Sequence, residues 1–406
     1  MVTICNKPLR VFDDEIIQFL GELSADLLKS PLVRQYPDIS AFAFYIRKAN
    51  LLKLRDTIFP IAQPLNSPTS QLPKSSTSWS NKELAFRLGR GLCFHIAPAN
   101  IPINFAFTWV FSLLAGNANV VRLPSKDFPQ VDALLSIINA TLEKYPALKE
   151  RNAFVKYPRT DNETTATYCQ LADCRMIWGG DRTIAAIKAL PTKPRCVDIT
   201  FADRYSVALI NADAILKADD DQMARLAQDF YNDTYLMDQN ACSSPQVILW
   251  EGGPVEKAKE RFWDAVYELA AKKYVLQDAV AVDKYTLFCE EAVGNANIES
   301  VTQKGNLLYR VELKSLPSDI ISHRGKAGFF FEYNLTNREE LFNVVTEKFQ
   351  TITQFGIDAV ELAQQIAAAH LRGIDRIVPI GKAMDIGVFW DGHDLIRELS
   401  RYVVTQ

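Results

Sequence analysis

"GLCFHIAPANIPINFAFTWVFSLLAGNANVVRLPSK", from Gly91 to Lys126, is the most apolar stretch of the chain and admits two readings. A membrane-spanning helix needs about 20 consecutive apolar residues and leaves no polar group unsatisfied. His95, Pro98, Asn100, Pro102 and Asn104 crowd the first half of the run, which argues against such a span. The alternative is a buried strand (GLCFHIA), a turn kept rigid by Pro98 and Pro102, a buried helix ending at Gly116, and a second strand (NVVRL). That alternation makes the chain an α/β protein.

The same alternation continues on either side. "AFVKY", "CRMIW" and "VALIN" read as strands, with "DFPQVDALLSIINATLEKY" and "DRTIAAIKAL" as helices between them. Upstream, "DDEIIQFLGELSADLLKS" repeats apolar residues at helical spacing behind Asp13 as cap, and "ISAFAFYIRKANLLKLRDTIF" reads as one further helix. "PLNSPTSQLPKSSTSWSN" is rich in Pro and Ser and reads as a linker or surface excursion. A second α/β series starts near Asp213. It has a helix from Asp219 to about Tyr235, the strand "PQVILW", the helix "VEKAKERFWDAVYELAAKK" and later strands "AGFFFEY", "FQTITQF" and "DRIVPI". The expected organisation is residues 1–212 as N-terminal helices plus a nucleotide-binding domain, 213–395 as a second domain, and 396–406 as a tail. That tail, which ends in "RELSRYVVTQ", is expected to return to the first domain or to pair with another subunit.

With 406 residues, two cores fit better than one. Hydrophobic residues at 48% and charged residues at 23% are ordinary for a soluble protein, and a net charge of -3 disfavours nucleic acid as a partner. "MVTICNKPLRVFDDEIIQFL" has none of the parts of a secretory leader. Seven cysteines without paired spacing suggest reduced thiols and a cytoplasmic location, and Cys169 and Cys174 lack the further ligands of a metal site.

Four segments carry possible chemistry. In "APANIP" the Asn100 amide at a strand end suits a developing oxyanion, although an ordinary Asx turn uses the same residues. In "RLPSK", Arg122, Ser125 and Lys126 leave a strand at the edge where α/β sheets bind nucleotides, or else form a solvated loop. In "WGGDR", Gly179 and Gly180 permit close backbone approach ahead of a helix N-terminus. In "YLMDQNACSSPQVILW", Cys242 is either a small core residue or a nucleophile.

In this order the segments resemble the aldehyde dehydrogenase superfamily. "SPLVRQYPDISAFAFYIRKANL", "DQNACSSPQ" and "GIDRIVPIGKAMDIGVFWDG" are similar, more narrowly, to the acyl-CoA reductase family typified by the fatty-acid reductase of bacterial luminescence. The resemblance implies an aldehyde-dehydrogenase-like fold of two doubly wound α/β domains with a cleft between them. It implies Cys242 as nucleophile, with Asn100 and the Cys242 amide holding the oxyanion. It places a nicotinamide cofactor against Ala97, Pro98, Arg122, Pro124, Ser125, Lys126, Gly179, Gly180 and Gly325. The implied reaction is reduction of a fatty acyl thioester, from acyl-CoA or an acyl-protein donor, to the aldehyde.

Departures from the superfamily pattern refine this expectation. Leu123 stands where many NAD-preferring members have lysine and Lys126 where they have glutamate, so the expected cofactor is NADPH. "VDITFADRYSVALINADA" lacks the usual glutamate base, which favours reduction over release of acid; Asp198 and Asp203 are the nearest acids. "SHRGKAGFFFEY" lacks the glutamate of the ribose contact but keeps Gly325 and Gly328. Because a free thiol is mostly protonated at neutral pH, the site is expected to favour the thiolate. His323, His370, His393 and the Trp390–Asp391–Gly392 turn read as structural. The resemblance also implies a homo-oligomer and a possible acyl-transferring partner enzyme. The rival functions are aldehyde oxidation and a nucleotide-free acyl carrier.

Overall fold

The computed structural model describes residues 4–60, 86–98 and 101–404. The chain forms two compact units, Met1–Ala202 with His393–Gln406, and Asp203–Gly392. The Pro/Ser-rich stretch read as a linker, and Asn100, lie outside the described residues.

The first unit holds a five-stranded sheet, all of it parallel. After a short strand β1 (Arg87–Gly89), its strands are β2 (Leu92–Ile96), β3 (Ala118–Arg122), β4 (Asn152–Val155), β5 (Cys174–Trp178) and β6 (Val197–Phe201), in the order β4-β3-β2-β5-β6. Helix α1 (Asp14–Lys29) is capped by Asp13, and helix α2 (Asn104–Leu114) crosses between β2 and β3. All eleven residues of α2 are buried, with the sheet on one side and α1 on the other, where the Phe19 and Trp109 rings meet edge to face at 6.0 Å. Burial on all sides explains why this helix is apolar all round. Among the described residues no helix is long and apolar enough to cross a membrane.

Two features of this unit depart from the sequence pattern or lie beyond it. The helix expected over "ISAFAFYIRKANLLKLRDTIF" is two, Pro37–Tyr45 and Lys48–Ile58. The Asn50 amide donates to the Phe44 carbonyl at 2.6 Å, satisfying a backbone group that a continuous helix would have used. At the other end of the chain, Ser400–Tyr402 pairs antiparallel with β1, and Arg87 donates to Ser400 Oγ at 3.0 Å and to the Arg397 carbonyl at 2.7 Å.

The second unit is built on a seven-stranded sheet. Its strands are β7 (Tyr205–Asn211), β8 (Pro245–Glu251), β9 (Ile298–Lys304), β10 (Leu308–Leu313), β11 (Phe329–Asn334), β12 (Phe349–Phe355) and β13 (Arg376–Pro379). The order is β13-β12-β7-β8-β11-β10-β9, parallel except for β9 against β10. Ala208, Ile210, Ile248 and Trp250 enter one apolar cluster, and Val207, Leu209, Val247 and Leu249 enter another. Both faces are covered, so these strands read as unbroken apolar runs rather than alternating ones.

Candidate active site

In the first unit, the residues expected to meet a cofactor fall at the carboxyl ends of three adjacent strands. Ala97 and Pro98 follow β2, Arg122 ends β3 and leads to buried Pro124 and exposed Ser125 and Lys126, and Gly179 and Gly180 follow β5. Strand order reverses at β2, which is where open parallel sheets hold ligands. The Arg122 guanidinium lies 4.5 Å from the Tyr157 ring centroid and Lys126 Nζ lies 5.2 Å from that of Phe128. Among the described residues neither cation makes an ion pair. Gly180 caps helix α3 (Asp181–Lys188) without a side-chain bond, and a Cβ at Gly180 would meet open space.

In the second unit, Cys242 ends a strained turn that enters β8 from helix α4 (Asp220–Asp233). Asp238 and Gln239 are both left-handed, with φ of 50° and 58°, a conformation rare for side chains with a Cβ. Such strain persists only where surrounding bonds over-determine it. The Gln239 side chain supplies them: Oε1 accepts from the Gly328 amide at 2.9 Å, and Nε2 donates to the carbonyls of Phe329 at 3.1 Å and Pro245 at 3.3 Å. Ala327, itself at φ 52°, donates its amide to the Asp238 carbonyl at 3.1 Å. Two left-handed turns therefore interlock. Lys284, buried on helix α5 of the same unit (Asp278–Gly294), donates to the Ala327 carbonyl at 2.9 Å from behind.

Within this turn Ala241, Ser243 and Ser244 are buried while Cys242 is half-buried. The Ser206 hydroxyl on β7 donates to the Cys242 carbonyl at 2.7 Å. Gln350 Nε2 on β12 lies 3.5 Å from Cys242 Sγ and also donates to the Asp391 carboxylate. The expectation of a favoured thiolate is not met in this unit. Burial pushes the Cys242 thiol up to about 11, and the Asp391 charge adds to it; the Gln350 N–H and Arg204 pull the other way and are outweighed.

The two acids nearest the missing base position are both engaged. Asp198 forms a two-point bond with buried Arg175, at 2.6 Å for each oxygen, and Asp203 forms a looser one with Arg324 at 3.2 and 3.1 Å. The glycines of "SHRGKAGFFFEY" are required by their own chain. A Cβ on Gly325 would strike the Phe329 carbonyl, and one on Gly328, at φ 88°, would strike that of Leu307. His323 and His393 each bond a glutamate, Glu291 at 3.1 Å and Glu398 at 2.9 Å. Asp391 and Gly392 do make a left-handed turn, but Asp391 also reaches Gln350 beside the thiol. No local sequence signal marks Gln350, which lies 108 residues from Cys242.

A family model described as acyl-CoA reductase (LuxC) matches residues 71–403. Among solved structures, the chain is similar to a NAD-dependent benzaldehyde dehydrogenase from Corynebacterium glutamicum, at 15% identity and TM-score 0.58, covering 96% of this chain and 80% of that one. It is similar to aldehyde dehydrogenase 21 from Physcomitrella patens, at 13% identity and TM-score 0.60, covering 96% and 81%. It is also similar to the glyceraldehyde-3-phosphate dehydrogenase GapN from Methanocaldococcus jannaschii, solved with NADP, at 14% identity and TM-score 0.58, covering 96% and 86%. These likenesses show an aldehyde-dehydrogenase-like α/β fold. No curated protein matches at significance.

Proposed function

The chain belongs to the acyl-CoA reductase (LuxC) family, and we propose that it reduces a fatty acyl thioester to the aldehyde with NADPH, through an acyl group carried on Cys242. The observation that carries this reading is the half-buried thiol on an interlocked, strained turn, with a side-chain N–H directed at its sulfur. A cysteine kept only for packing needs neither the strain nor the donor.

In the first step the Cys242 sulfur attacks the thioester carbonyl, its proton leaves with the departing thiol, and a cysteinyl thioester forms. Asn100 and the Cys242 amide are the proposed donors to the tetrahedral oxyanion; one such donor is worth about 3 kcal/mol. NADPH, when bound, supplies the hydride to the acyl carbon. The sulfur then leaves the resulting thiohemiacetal as thiolate and the aldehyde departs. Asp198 and Asp203, each held by an arginine, are not poised to activate water against the thioester. That favours reduction over hydrolysis.

The choice of NADPH rests on Arg122 and Lys126, two cations at the exit of β3, beside Ser125, that make no ion pair among the described residues. A 2'-phosphate would find charge-assisted donors there, each worth about 1.5–3 kcal/mol. Lys126→Glu should therefore shift the NADPH/NADH preference toward NADH by about ten- to a hundredfold. Steady-state rates with each cofactor measure this, and an unchanged ratio counts against the assignment.

The direct test incubates the protein with acyl-CoAs of increasing chain length and NADPH, following absorbance at the nicotinamide band together with aldehyde. Expected is one aldehyde per NADPH consumed, and, with acyl-CoA alone, release of one CoA thiol per chain. Release of carboxylic acid, or stable acylation unaffected by NADPH, would refute reduction.

A further inference from the structure

We propose that Gln350 is a catalytic residue, the hydrogen-bond donor to the Cys242 sulfur when it carries charge, and that Asp391 is the positioning residue that holds the Gln350 amide in this orientation. The inference rests on the reading of Cys242 as the nucleophile.

The geometry assigns the amide unambiguously. Gln350 is fully buried and Asp391 nearly so, at 0% and 7% exposure. A glutamine amide has one donor end and one acceptor end, whereas an ionised carboxylate only accepts. The end that meets Asp391 is therefore the NH2, and the same nitrogen stands 3.5 Å from Cys242 Sγ. One hydrogen serves the carboxylate and the other is directed at sulfur. At the opposite end the Thr351 hydroxyl approaches Oε1 at 3.5 Å. Turned around, the amide would set its carbonyl against both the carboxylate and the sulfur. Ser206 stabilises the alignment of the strands, because its hydroxyl donates to the Cys242 carbonyl at 2.7 Å and accepts from the Thr351 amide at 3.3 Å.

The sulfur carries charge twice in the proposed cycle, when it is deprotonated to attack and when the thiohemiacetal expels it. The charged groups acting on it are Asp391 and Asp203, which oppose the thiolate, and Arg204, which favours it; Arg376, 4.3 Å from the Trp390 ring centroid, lies close enough to feel the thiol. Asp391 thus acts in two opposed ways. Its charge disfavours the thiolate, while its hydrogen bond keeps the donor in place. The two effects can be separated.

The test measures carbamidomethylation of Cys242 by peptide mass mapping from pH 7 to 10.5, without substrate or cofactor, alongside kcat and KM with acyl-CoA and NADPH. Circular dichroism and thermal melting check each fold. In Gln350→Met, alkylation at pH 8 should slow by about fivefold, with kcat down by about tenfold or more and KM nearly unchanged. Should that variant misfold, Gln350→Asn, which keeps the amide but withdraws it, should shift both rates in the same direction. In Asp391→Asn, alkylation should accelerate as the charge is removed, while kcat falls because the amide is free to turn. A folded Gln350 variant with the parent alkylation profile overturns the donor role. Any other pairing of the two rates in Asp391→Asn overturns the positioning role. Alkylation reads the sulfur itself, so these outcomes stand apart from the parent reading, which falls if Cys242→Ser keeps its turnover.

Discussion

Cys242→Ser should lower aldehyde formation from acyl-CoA and NADPH by on the order of 10³-fold or more, while leaving the fold intact. The argument is one of nucleophilicity at fixed geometry. Serine keeps the backbone of the turn and differs from cysteine by a single atom at a half-buried position, so little stability is at stake. Its hydroxyl, however, ionises far less readily than a thiol, and the described side chains beside it do not offer a base: Gln350 is a donor there, and Asp391 is bonded to Gln350. Even the thiol is costly to ionise here, having been pushed up to about 11. For cysteine this predicts alkylation of Cys242 that rises about tenfold per pH unit across the neutral range and levels off only near pH 11. Aldehyde yield and thiol release, measured together, decide the matter. A serine variant retaining more than a few per cent of turnover would remove Cys242 from the mechanism.

The second large effect is structural. Gln239→Leu should destabilise the second unit by about 3–5 kcal/mol, because it removes three hydrogen bonds of a buried side chain and leaves buried groups at Gly328, Phe329 and Pro245 without their partner. Leucine has a similar volume, so the loss is one of polar satisfaction rather than of packing. The strained pair at Asp238 and Gln239 would then be held only by backbone bonds, such as that from Ala327 to the Asp238 carbonyl. Calorimetry should show a lowered transition, and the rate of Cys242 alkylation should differ from the parent's as the turn samples other conformations. A melting profile matching the parent would mean that the interlock is not what stabilises the turn.

Much of the fold was legible because parallel sheets covered on both faces announce themselves as short apolar runs. Strands β2, β3, β5, β7, β8, β11, β12 and β13 all coincide with such runs. Strands β9 and β10 did not stand out. "IESVTQK" on β9 lies at the sheet edge with mostly exposed side chains, so nothing apolar marks it. The break at Ile46–Arg47 was also hidden, since no Gly or Pro stands there and a side-chain amide caps the interruption.

The site was legible only in part, and the division follows sequence distance. Local order pointed to the exits of β2, β3 and β5, because in a parallel α/β sheet every strand exit lies on one edge whatever the strand order, while the reading of Cys242 as nucleophile came from the family resemblance. What surrounds the sulfur depended on that order. Gln350 reaches Cys242 because β12 lies next to β7 and β7 next to β8, and Asp391 arrives through a turn after β13. Crossover connections set which parallel strands become neighbours, and they leave no periodic trace in the residues they bring together. The chain's own apolar pattern therefore determined two wrapped sheets and a cysteine at a strand entrance. Only the packed strands decided that this thiol is pushed toward its neutral form and faces an amide pinned by a carboxylate, since burial and charge at a point are sums over neighbours from remote parts of the chain.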